Sequence, residues 1–164
     1  MSAIADAGER GTPPIRILPA ERGDLPEILD LQRLAYRSEA ELLGDFDIPP
    51  LRQTLAEAAC EWERGTVLKA VDGGRAIVGS VRACVRDGTA YVGKLIVRPD
   101  LQGRGIGTGL LAEVERACPC RRYELFTSTK SLRNIKLYRR CGYRVFREDA
   151  ASGGLSLIYL EKLS

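Results

Sequence analysis

The chain has 164 residues, of which 45% are hydrophobic and 29% are charged, and its net charge is +3. This composition is typical of one globular domain and excludes disordered and collagen-like chains. The sequence contains no histidine, which excludes Ser-His-Asp and Cys-His catalysis as well as histidine-ligated metal sites.

The first residues of the chain predict a leader rather than part of the fold. Residues 1–14 are rich in Ala, Gly and Pro, and we interpret them as a mobile leader before a single domain at 15–164. Asp6, Glu9 and Arg10 lie where a secretory signal would be apolar, so we expect a cytoplasmic protein. The longest apolar run has four residues, too few to span a membrane, so no membrane partner is expected.

The next part of the chain predicts one strand, two helices and three further strands. Residues 15–18 predict a short strand, and Asp24 predicts the N-cap of a helix with an apolar face from Leu25 to Ala35. The acidic segment 38–47 is expected to form a loop. A second helix is predicted from Leu51 to Gly65. The strands that follow are predicted at residues 66–71, 76–86 and 89–97.

The last part of the chain predicts alternating helices and strands. Helices are expected at 106–117 and 131–140, and strands at 123–127, 143–147 and 155–160. A strand, a crossover helix and another strand imply one parallel step, whereas the other neighbours resemble hairpins. We therefore predict an α/β domain of the α+β kind, with a mixed, mostly antiparallel sheet of about seven strands and about four helices.

Charge and cysteines limit the partners. Between residues 116 and 147 there are ten basic residues and one acid, a balance of +9, whereas residues 38–47 hold four acids and no base. This asymmetry indicates an anion site and a cation site in different places.

The five cysteines are irregularly spaced, which favours reduced thiols. The pair Cys118 and Cys120 is too isolated to predict a metal site, and no metal is expected.

A glycine-rich turn joins the predicted strand at 89–97 to the following helix. Residues 97–109 contain four glycines, and a helix N-terminus offers unpaired N–H groups that a phosphate could approach closely beside glycine. The segment does not fit the Gly-x-Gly-x-x-Gly dinucleotide pattern, because Thr108 and Leu110 stand where the last glycine would be. It does not fit a Walker loop either, because no Lys follows these glycines. The predicted ligand is therefore a phosphate or pyrophosphate outside the NAD and ATP motifs.

The letters of this turn resemble a known family. Gln102 to Gly107 fit the Gln/Arg-x-x-Gly-x-Gly/Ala pattern of the acetyl-coenzyme A (acetyl-CoA) loop in the GNAT superfamily of N-acetyltransferases. Val97 and Pro99 resemble the strand end of that family, and the segment 134–143 resembles its second signature. The resemblance runs from about residue 15 to 160. It implies a GNAT-like fold with acetyl-CoA as co-substrate, and it leaves a homodimer open.

The resemblance also implies which residues hold acetyl-CoA. Backbone N–H groups of 103–108, together with Arg104, would bind the pyrophosphate. The backbone at 95–97 would pair with the pantetheine arm, which in the family requires a bulge in that strand and a splay from the next. The cofactor-binding residues implied are Leu95, Ile96, Val97, Gln102, Gly103, Arg104, Gly105, Ile106, Gly107, Thr108, Asn134 and Tyr138.

Asn134 and Tyr138 are four residues apart, which places them about 40° apart on one helix face. The family assigns Asn134 to the arm of the cofactor and Tyr138 to its sulfur, where the phenol would protonate the leaving thiolate. A phenol with a pKa of about 10 keeps its proton at neutral pH. Tyr138 is therefore the predicted catalytic acid, with an effect at the low end of ~10²- to 10⁴-fold.

The acceptor implied is an amine, and an alkylammonium with a pKa of about 10.4 must lose a proton before it can attack. Some family members use a carboxylate early in the strand before the loop, but residues 89–97 contain no acid. The acids of 38–47 remain, in a segment where the family commonly builds its acceptor site, and Glu39 is the favoured base, directly or through water. As a group they favour a cationic acceptor. The candidate acceptor-binding residues are Glu39, Glu41, Asp45 and Asp47.

The expected function is acetyl transfer from acetyl-CoA to a primary amine by direct attack in a ternary complex. A sensor that binds acyl-CoA without reaction is one alternative, although the presence of Tyr138 argues against it. A nucleic-acid-binding module on the basic stretch is a second, but no recognition motif for that class is present and a nucleic-acid partner is not expected. The acceptor stays open among small amines, polyamines, aminoglycosides and protein amines, as does the role of Lys94.

Overall fold

The computed structural model of the chain describes residues 14–150 and 156–164. The expected leader, apart from Pro14, and the predicted turn at 152–154 lie outside these residues. The described strands are β1 (Arg16–Pro19), β2 (Thr66–Val71), β3 (Ile77–Arg86), β4 (Thr89–Val97), β5 (Arg122–Ser128), β6 (Arg144–Ala150) and β7 (Ser156–Leu163). The described helices are α1 (Leu25–Leu43), α2 (Pro49–Arg52), α3 (Leu55–Arg64), α4 (Ile106–Ala117) and α5 (Leu132–Arg140), with 3₁₀ turns at Arg22–Asp24 and Pro99–Leu101.

The strands form one seven-stranded sheet in the order β1-β2-β3-β4-β5-β7-β6. β4 and β5 are parallel, and the other neighbouring pairs of described strands are antiparallel. Parallel neighbours require a crossover, and α4 supplies it between β4 and β5. The predicted mixed, mostly antiparallel sheet with one parallel step is confirmed, and so is the number of longer helices.

Helices cover both faces of the sheet. On one face, apolar side chains of α1, including Leu25 and Ile28, pack against Val67 and Ile96. On the other face, Leu110 and Leu111 of α4 belong to a larger core that also takes in side chains of α5. Because β-strand side chains alternate between faces, β2, β3 and β4 each contribute to both cores. The loops at the end of β4 are thereby held between two helical layers.

The first helix is longer than predicted. It continues through residues 38–43 and ends at Gly44, whose φ of +69° is typical of a helix C-cap. Glu39 and Glu41 therefore lie on a helix, and the prediction of an acidic loop from residue 38 was wrong. The segment contains good helix formers and no Gly or Pro before position 44, so charge alone does not end the helix.

Asp24 occupies the predicted N-cap position of α1, but its capping contact and the bounds of the second predicted helix differ from the prediction. The carboxylate of Asp24 does not cap α1: it accepts hydrogen bonds from the Glu21 backbone N–H at 2.8 Å and from Lys69 Nζ at 2.7 Å. The helix predicted from 51 to 65 is broken after Arg52, and α3 begins anew behind Thr54. The Thr54 hydroxyl accepts from the backbone N–H of residue 57 at 3.1 Å, so an N-cap interrupts the apolar periodicity.

Candidate active site

The glycine-rich turn presents open backbone amides at the start of α4. Gly103 and Gly105 have φ of +80° and +85°, a left-handed conformation that favours glycine. Among the described side chains none caps the first turn of α4, and a Cβ added at Gly105 would meet no atom within 4 Å. The first amides of a helix have no partner within it, and the space beside Gly105 is open, which fits an anion such as a pyrophosphate.

The side chains of this turn divide between surface and core. Arg104 and Thr108 are exposed, whereas Ile106 is 6% exposed and packs into the core beneath α4. Ile106 can therefore serve a ligand only through its backbone. Gln102 accepts a hydrogen bond from the guanidinium of Arg133 in α5. Arg133 was not predicted from the sequence, because the family pattern that begins at Asn134 does not include the residue before it.

Strand β4 contains a bulge at Lys94. Ser80 of β3 lies opposite Ile96 and Arg82 lies opposite Gly93, so β4 has one more residue than β3 over the same length. Lys94 has a φ of +46°, which is uncommon for a residue with a Cβ. The bulge that the family resemblance requires is therefore present.

The bulge shifts the alternation of side chains along β4. Before it, Ala90 and Val92 belong to the core on the α4 face; after it, Leu95 and Val97 pack against that same core, while Ile96 packs on the α1 face. An unbroken strand would have placed residues of even number on one face throughout. The extra residue therefore changes the direction of the chain immediately before the glycine-rich turn.

Strands β4 and β5 stop pairing after Tyr91, just before the bulge. Only Thr89–Tyr91 pair with Arg122–Glu124, and the later halves of the two strands do not pair with each other in the described structure. The backbone of residues 95–97 consequently faces an opening between the strands. This is the splay that the resemblance predicts, and it leaves a free strand edge for an extended ligand.

The glycine-rich turn, the opening between β4 and β5 (the slot) and helix α5 meet at Gly107. A Cβ added at Gly107 would lie 3.2 Å from Leu137, 3.8 Å from Val97 and 4.0 Å from Leu95. Leu137 belongs to α5, and the other two residues belong to the free part of β4. The amides at the start of α4 and the free edge of β4 therefore adjoin the helix that carries the second signature.

The two predicted residues of α5 lie beside the splayed strands. Asn134 Nδ2 donates to Thr127 Oγ1 of β5 at 3.4 Å. Tyr138 is 6% exposed, and its ring centroid lies 6.2 Å from that of Tyr143. Both predicted residues are thus brought to the same side of the sheet as the slot, one helical turn apart.

The electrostatic surroundings of Tyr138 keep its phenol protonated. Burial raises the pKa of Tyr138 above its ordinary value, and the neighbouring Tyr36, Glu39 and Cys141 raise it further. Burial together with Glu39 also raises the pKa of Tyr36 to about 12. Sequence reasoning missed Tyr36, which lies one turn before Glu39 on α1 and has no motif around it. A phenol with a raised pKa can act as a proton donor at any physiological pH.

The structure separates the four predicted acceptor-site acids. Glu39 is half-buried and accepts a hydrogen bond from the hydroxyl of Ser131, the residue before α5. Of the four, it alone contacts the elements around the slot. Glu41, Asp45 and Asp47 are exposed. Asp45 Oδ1 accepts a hydrogen bond from the Asp47 backbone N–H at 2.8 Å, and the Asp47 carboxylate lies 3.4 Å from the Arg52 guanidinium.

A polar network lies behind the bulge, on the α1 face. Lys94 Nζ and Arg82 each donate to the carboxylate of Glu61 in α3. Arg82 also donates to Gln53 Oε1 and Gln32 Oε1, both at 2.9 Å. Burial raises the pKa of Glu61, but the hydrogen bonds and charges of Lys94 and Arg82 outweigh it and hold the pKa below its ordinary value. The network joins Lys94 to two helices and to β3.

The sequence matches the family model described as the acetyltransferase (GNAT) family over residues 25–143. This match spans more than half of the chain. The chain belongs to the GNAT acetyltransferase family. As a GNAT acetyltransferase it is an acyltransferase, and the resemblance inferred from its two signatures is confirmed.

Solved GNAT structures share this fold. PaiA N-acetyltransferase from Thermoplasma acidophilum, in complex with coenzyme A, is 16% identical with a TM-score of 0.76, over 92% of this chain and 99% of that one. The ribosomal-protein-S18-alanine N-acetyltransferase from Escherichia coli is 19% identical with a TM-score of 0.73, over 92% and 94%. Phosphinothricin acetyltransferase from Sinorhizobium meliloti, in complex with acetyl-CoA, is 19% identical with a TM-score of 0.74, over 91% and 88%. A comparison with curated proteins finds no match.

The described part of the GNAT domain contains neither a candidate metal cluster nor a candidate membrane-spanning helix. Across residues 14–150 and 156–164, no three His, Cys, Asp or Glu side chains are grouped so that they could hold a metal ion. No helix within the same residues combines the length and the apolar character needed to cross a bilayer. All five cysteines carry free thiols, as their irregular spacing predicted.

Proposed function

We propose that residues 15–164 form an N-acetyltransferase domain that transfers acetyl from acetyl-CoA to a primary amine by direct attack in a ternary complex. The observation that supports this most is the meeting point at Gly107, where open amides, a free strand edge and α5 adjoin one another. The pyrophosphate of acetyl-CoA would need the amides, its pantetheine arm the free strand edge, and its thioester the neighbouring helix α5. Chemistry then takes place where the arm would end, near Tyr138.

Each part of acetyl-CoA has a matching group in the chain. The amides of 103–108, with Arg104 and Arg133 nearby, would hold the pyrophosphate. The free edge of 95–97 and the amide of Asn134 would hold the pantetheine arm. When bound, acetyl-CoA supplies the acetyl group as a thioester.

Tyr138 would donate the proton that the departing thiolate takes up. Its pKa is raised above the ordinary value, first by burial, so the proton is present throughout the physiological pH range. A thiolate with a pKa of about 8.5 also leaves fairly well without help. The contribution of Tyr138 should therefore lie at the low end of ~10²- to 10⁴-fold.

Glu39 would accept a proton from the acceptor amine, directly or through water. It contacts Ser131 at the beginning of α5, and its charge contributes to the raised pKa of Tyr138, so the two groups are near each other. Glu41, Asp45 and Asp47 carry negative charge at the same end of α1 and in the loop that follows. This local charge favours a cationic acceptor.

The chemical class of the acceptor does not follow from the fold. The E. coli neighbour is named for a protein alanine and the S. meliloti neighbour for phosphinothricin, and a chimeric neighbour from Vibrio cholerae is a spermidine N-acetyltransferase. The same scaffold thus occurs with protein, amino-acid-like and polyamine acceptors. A panel of amines must therefore include all three classes.

The basic stretch gives little support to a nucleic-acid partner. Arg122 pairs with Glu124 and Glu161 at 2.8 Å each, and Arg147 pairs with Asp149 at 3.1 Å. Arg122 and Arg147 are thus already paired with acids of the β5, β6 and β7 strands. A surface built to neutralise phosphates would keep these cations available.

The test is to incubate the full chain with acetyl-CoA and each amine while measuring free thiol and the mass of the products. Thiol release together with a 1:1 acetylated amine supports the proposed function. Binding of coenzyme A by calorimetry without thiol release across the panel would support the sensor instead. Salt-dependent retention on DNA or RNA that coenzyme A does not affect would support a nucleic-acid module. Sedimentation of the same sample decides whether the protein is a homodimer.

A further inference from the structure

We propose that Lys94 is a positioning residue for the acetyl-CoA slot, and that its ion pair with Glu61 holds the β4 bulge in place. The bulge lies between Tyr91, the last β4 residue that pairs with β5, and the free edge of residues 95–97, so it sets the direction of that edge toward the ligand. This inference rests on the proposed function, because that edge matters for transfer only when acetyl-CoA lies along it.

The backbone at Lys94 needs an external stabilising contact. Its φ of +46° lies in the left-handed region, which a residue with a Cβ adopts at a cost and glycine adopts freely. The preceding residue is Gly93, where an added Cβ would meet no atom within 4 Å. Gly93 could take up the extra residue without strain, yet the positive φ is found at Lys94. Some interaction of the Lys94 side chain must therefore favour this placement.

The ion pair with Glu61 is that interaction. Lys94 Nζ donates to Glu61 Oε1, and the lysine side chain is 23% exposed, so the contact is partly shielded from water. The pair crosses from β4 to α3 on the face opposite to α4. It draws the side chain of the extra residue toward the α1 face, while Leu95 after the bulge turns to the α4 face.

Glu61 is itself a fixed anchor. Its second oxygen accepts from Arg82, whose side chain is 8% exposed, and Gln53 Nε2 donates to its first oxygen at 2.9 Å. Arg82 is held in turn by Gln32 at 2.9 Å. A carboxylate with this many fixed partners has little freedom to follow a moving lysine, so it can hold the backbone of Lys94 in one position.

The first experiment compares three substitutions of Lys94 in the full chain. Lys94→Met removes the ammonium and keeps the positive φ unfavourable, so kcat/KM for acetyl-CoA should fall on the order of 10²-fold, as expected when a site is misplaced by about 1 Å. Lys94→Gly loses the ion pair but tolerates the backbone, so it should recover most of the loss. Lys94→Arg should stay close to wild type. A Lys94→Gly variant no better than Lys94→Met, or an unchanged Lys94→Met, would overturn the inference.

Lys69→Met is the matched control. Lys69 forms a comparably shielded ion pair with Asp24 at 2.7 Å on β2, with 16% of its side chain exposed. Its loss should lower the melting temperature and leave KM for acetyl-CoA unchanged. If Lys69→Met raises KM for acetyl-CoA as much as Lys94→Met does, the effect of Lys94 is general destabilisation and the proposal is wrong.

Binding of free coenzyme A by calorimetry separates this inference from the proposed function. If no amine is acetylated but affinity follows the order wild type, Lys94→Gly and then Lys94→Met, the positioning role stands and the proposed transfer fails. If transfer is observed and the three affinities are equal, the positioning role fails alone. Should Lys94→Met not fold, Glu61→Gln replaces it. The double variant Glu61→Gln with Lys94→Gly should bind coenzyme A with the affinity of Lys94→Gly alone. Additive losses of affinity in the double variant would contradict the proposal.

Discussion

Ser131 and Glu39, which are 92 residues apart in the sequence, are joined by a hydrogen bond from the Ser131 hydroxyl to the Glu39 carboxylate. Ser131 is 4% exposed and immediately precedes α5. The bond ties the last turns of α1 to the end of β5, beside the helix that carries Tyr138. A carboxylate of α1 is thereby held at the start of the helix that carries Tyr138.

Substitution of Glu39 by Gln tests its role as base. The amide keeps the size of the side chain and can still accept from Ser131, but it cannot take a proton from an amine. We expect kcat to fall about 10²-fold while the affinity for acetyl-CoA, measured by calorimetry, stays the same. Asp30→Asn serves as control, because Asp30 is exposed on the same helix and forms an ion pair with Arg33 at 3.4 Å. Equal turnover of Glu39→Gln and wild type would remove Glu39 from the mechanism.

Tyr138→Phe tests the acid. Loss of the hydroxyl should lower kcat by ~10²-fold or less, because the thiolate leaves fairly well unaided, and should leave coenzyme A binding nearly unchanged. Because burial above all raises the pKa of Tyr138, its ionisation should not produce a decline of kcat below about pH 10. Stopped-flow or steady-state rates across pH 6–10 check both points.

Tyr143→Phe is the paired control for that experiment. Its hydroxyl donates at 3.0 Å to Oε2 of Glu115 in α4, so its loss should cost about 1 kcal/mol of unfolding free energy and no turnover. If both tyrosine variants lose the same activity, the effect comes from the packing of the two rings and Tyr138 is not the proton donor.

The features predicted best from the sequence depend on local patterns. The sheet, the crossover and the glycine-rich turn follow from periodicity and turn residues over short stretches. Asn134 and Tyr138 were identified through the resemblance of residues 134–143 to the second signature of the family, and their spacing places them on one helix face. None of these predictions required knowledge of a distant contact.

The features missed depend on contacts between distant segments. Lys94 and Glu61 are 33 residues apart and Arg82 and Glu61 are 21 apart, and each residue alone looks like an ordinary polar residue on an amphipathic element. The length of α1 was missed for a different, local reason: residues 38–43 are mostly good helix formers, and their charge does not end the helix before Gly44. Single charged residues in a sequence do not reveal which opposite charge the fold will bring to them.

A negative charge at the glycine-rich turn should abolish binding of coenzyme A. Gly105→Asp places a carboxylate where a pyrophosphate is proposed to lie, and the φ of +85° at Gly105 also disfavours a side chain. Gly105→Asn separates these effects, because Asn has nearly the same shape and tolerates the left-handed region better than most residues. Calorimetry should detect binding to Gly105→Asn, weaker than to wild type, and none to Gly105→Asp. Equal affinities would show that charge at this turn is irrelevant.

The ion pairs of Glu61 should make the stability of the protein depend on acid pH. Lys94 and Arg82 outweigh burial and hold the pKa of Glu61 below its ordinary value of 4.5. Because the folded pKa is the lower one, this stabilisation is present above the unfolded pKa and is lost as pH falls through the folded pKa. The free energy of unfolding of the wild type should therefore decrease below about pH 5 more steeply than that of Glu61→Gln, which does not titrate there. Urea unfolding at several pH values measures both slopes. Removing the partner in Lys94→Met should give an intermediate slope, and parallel curves for all three proteins would mean that Glu61 is not held by these cations in solution.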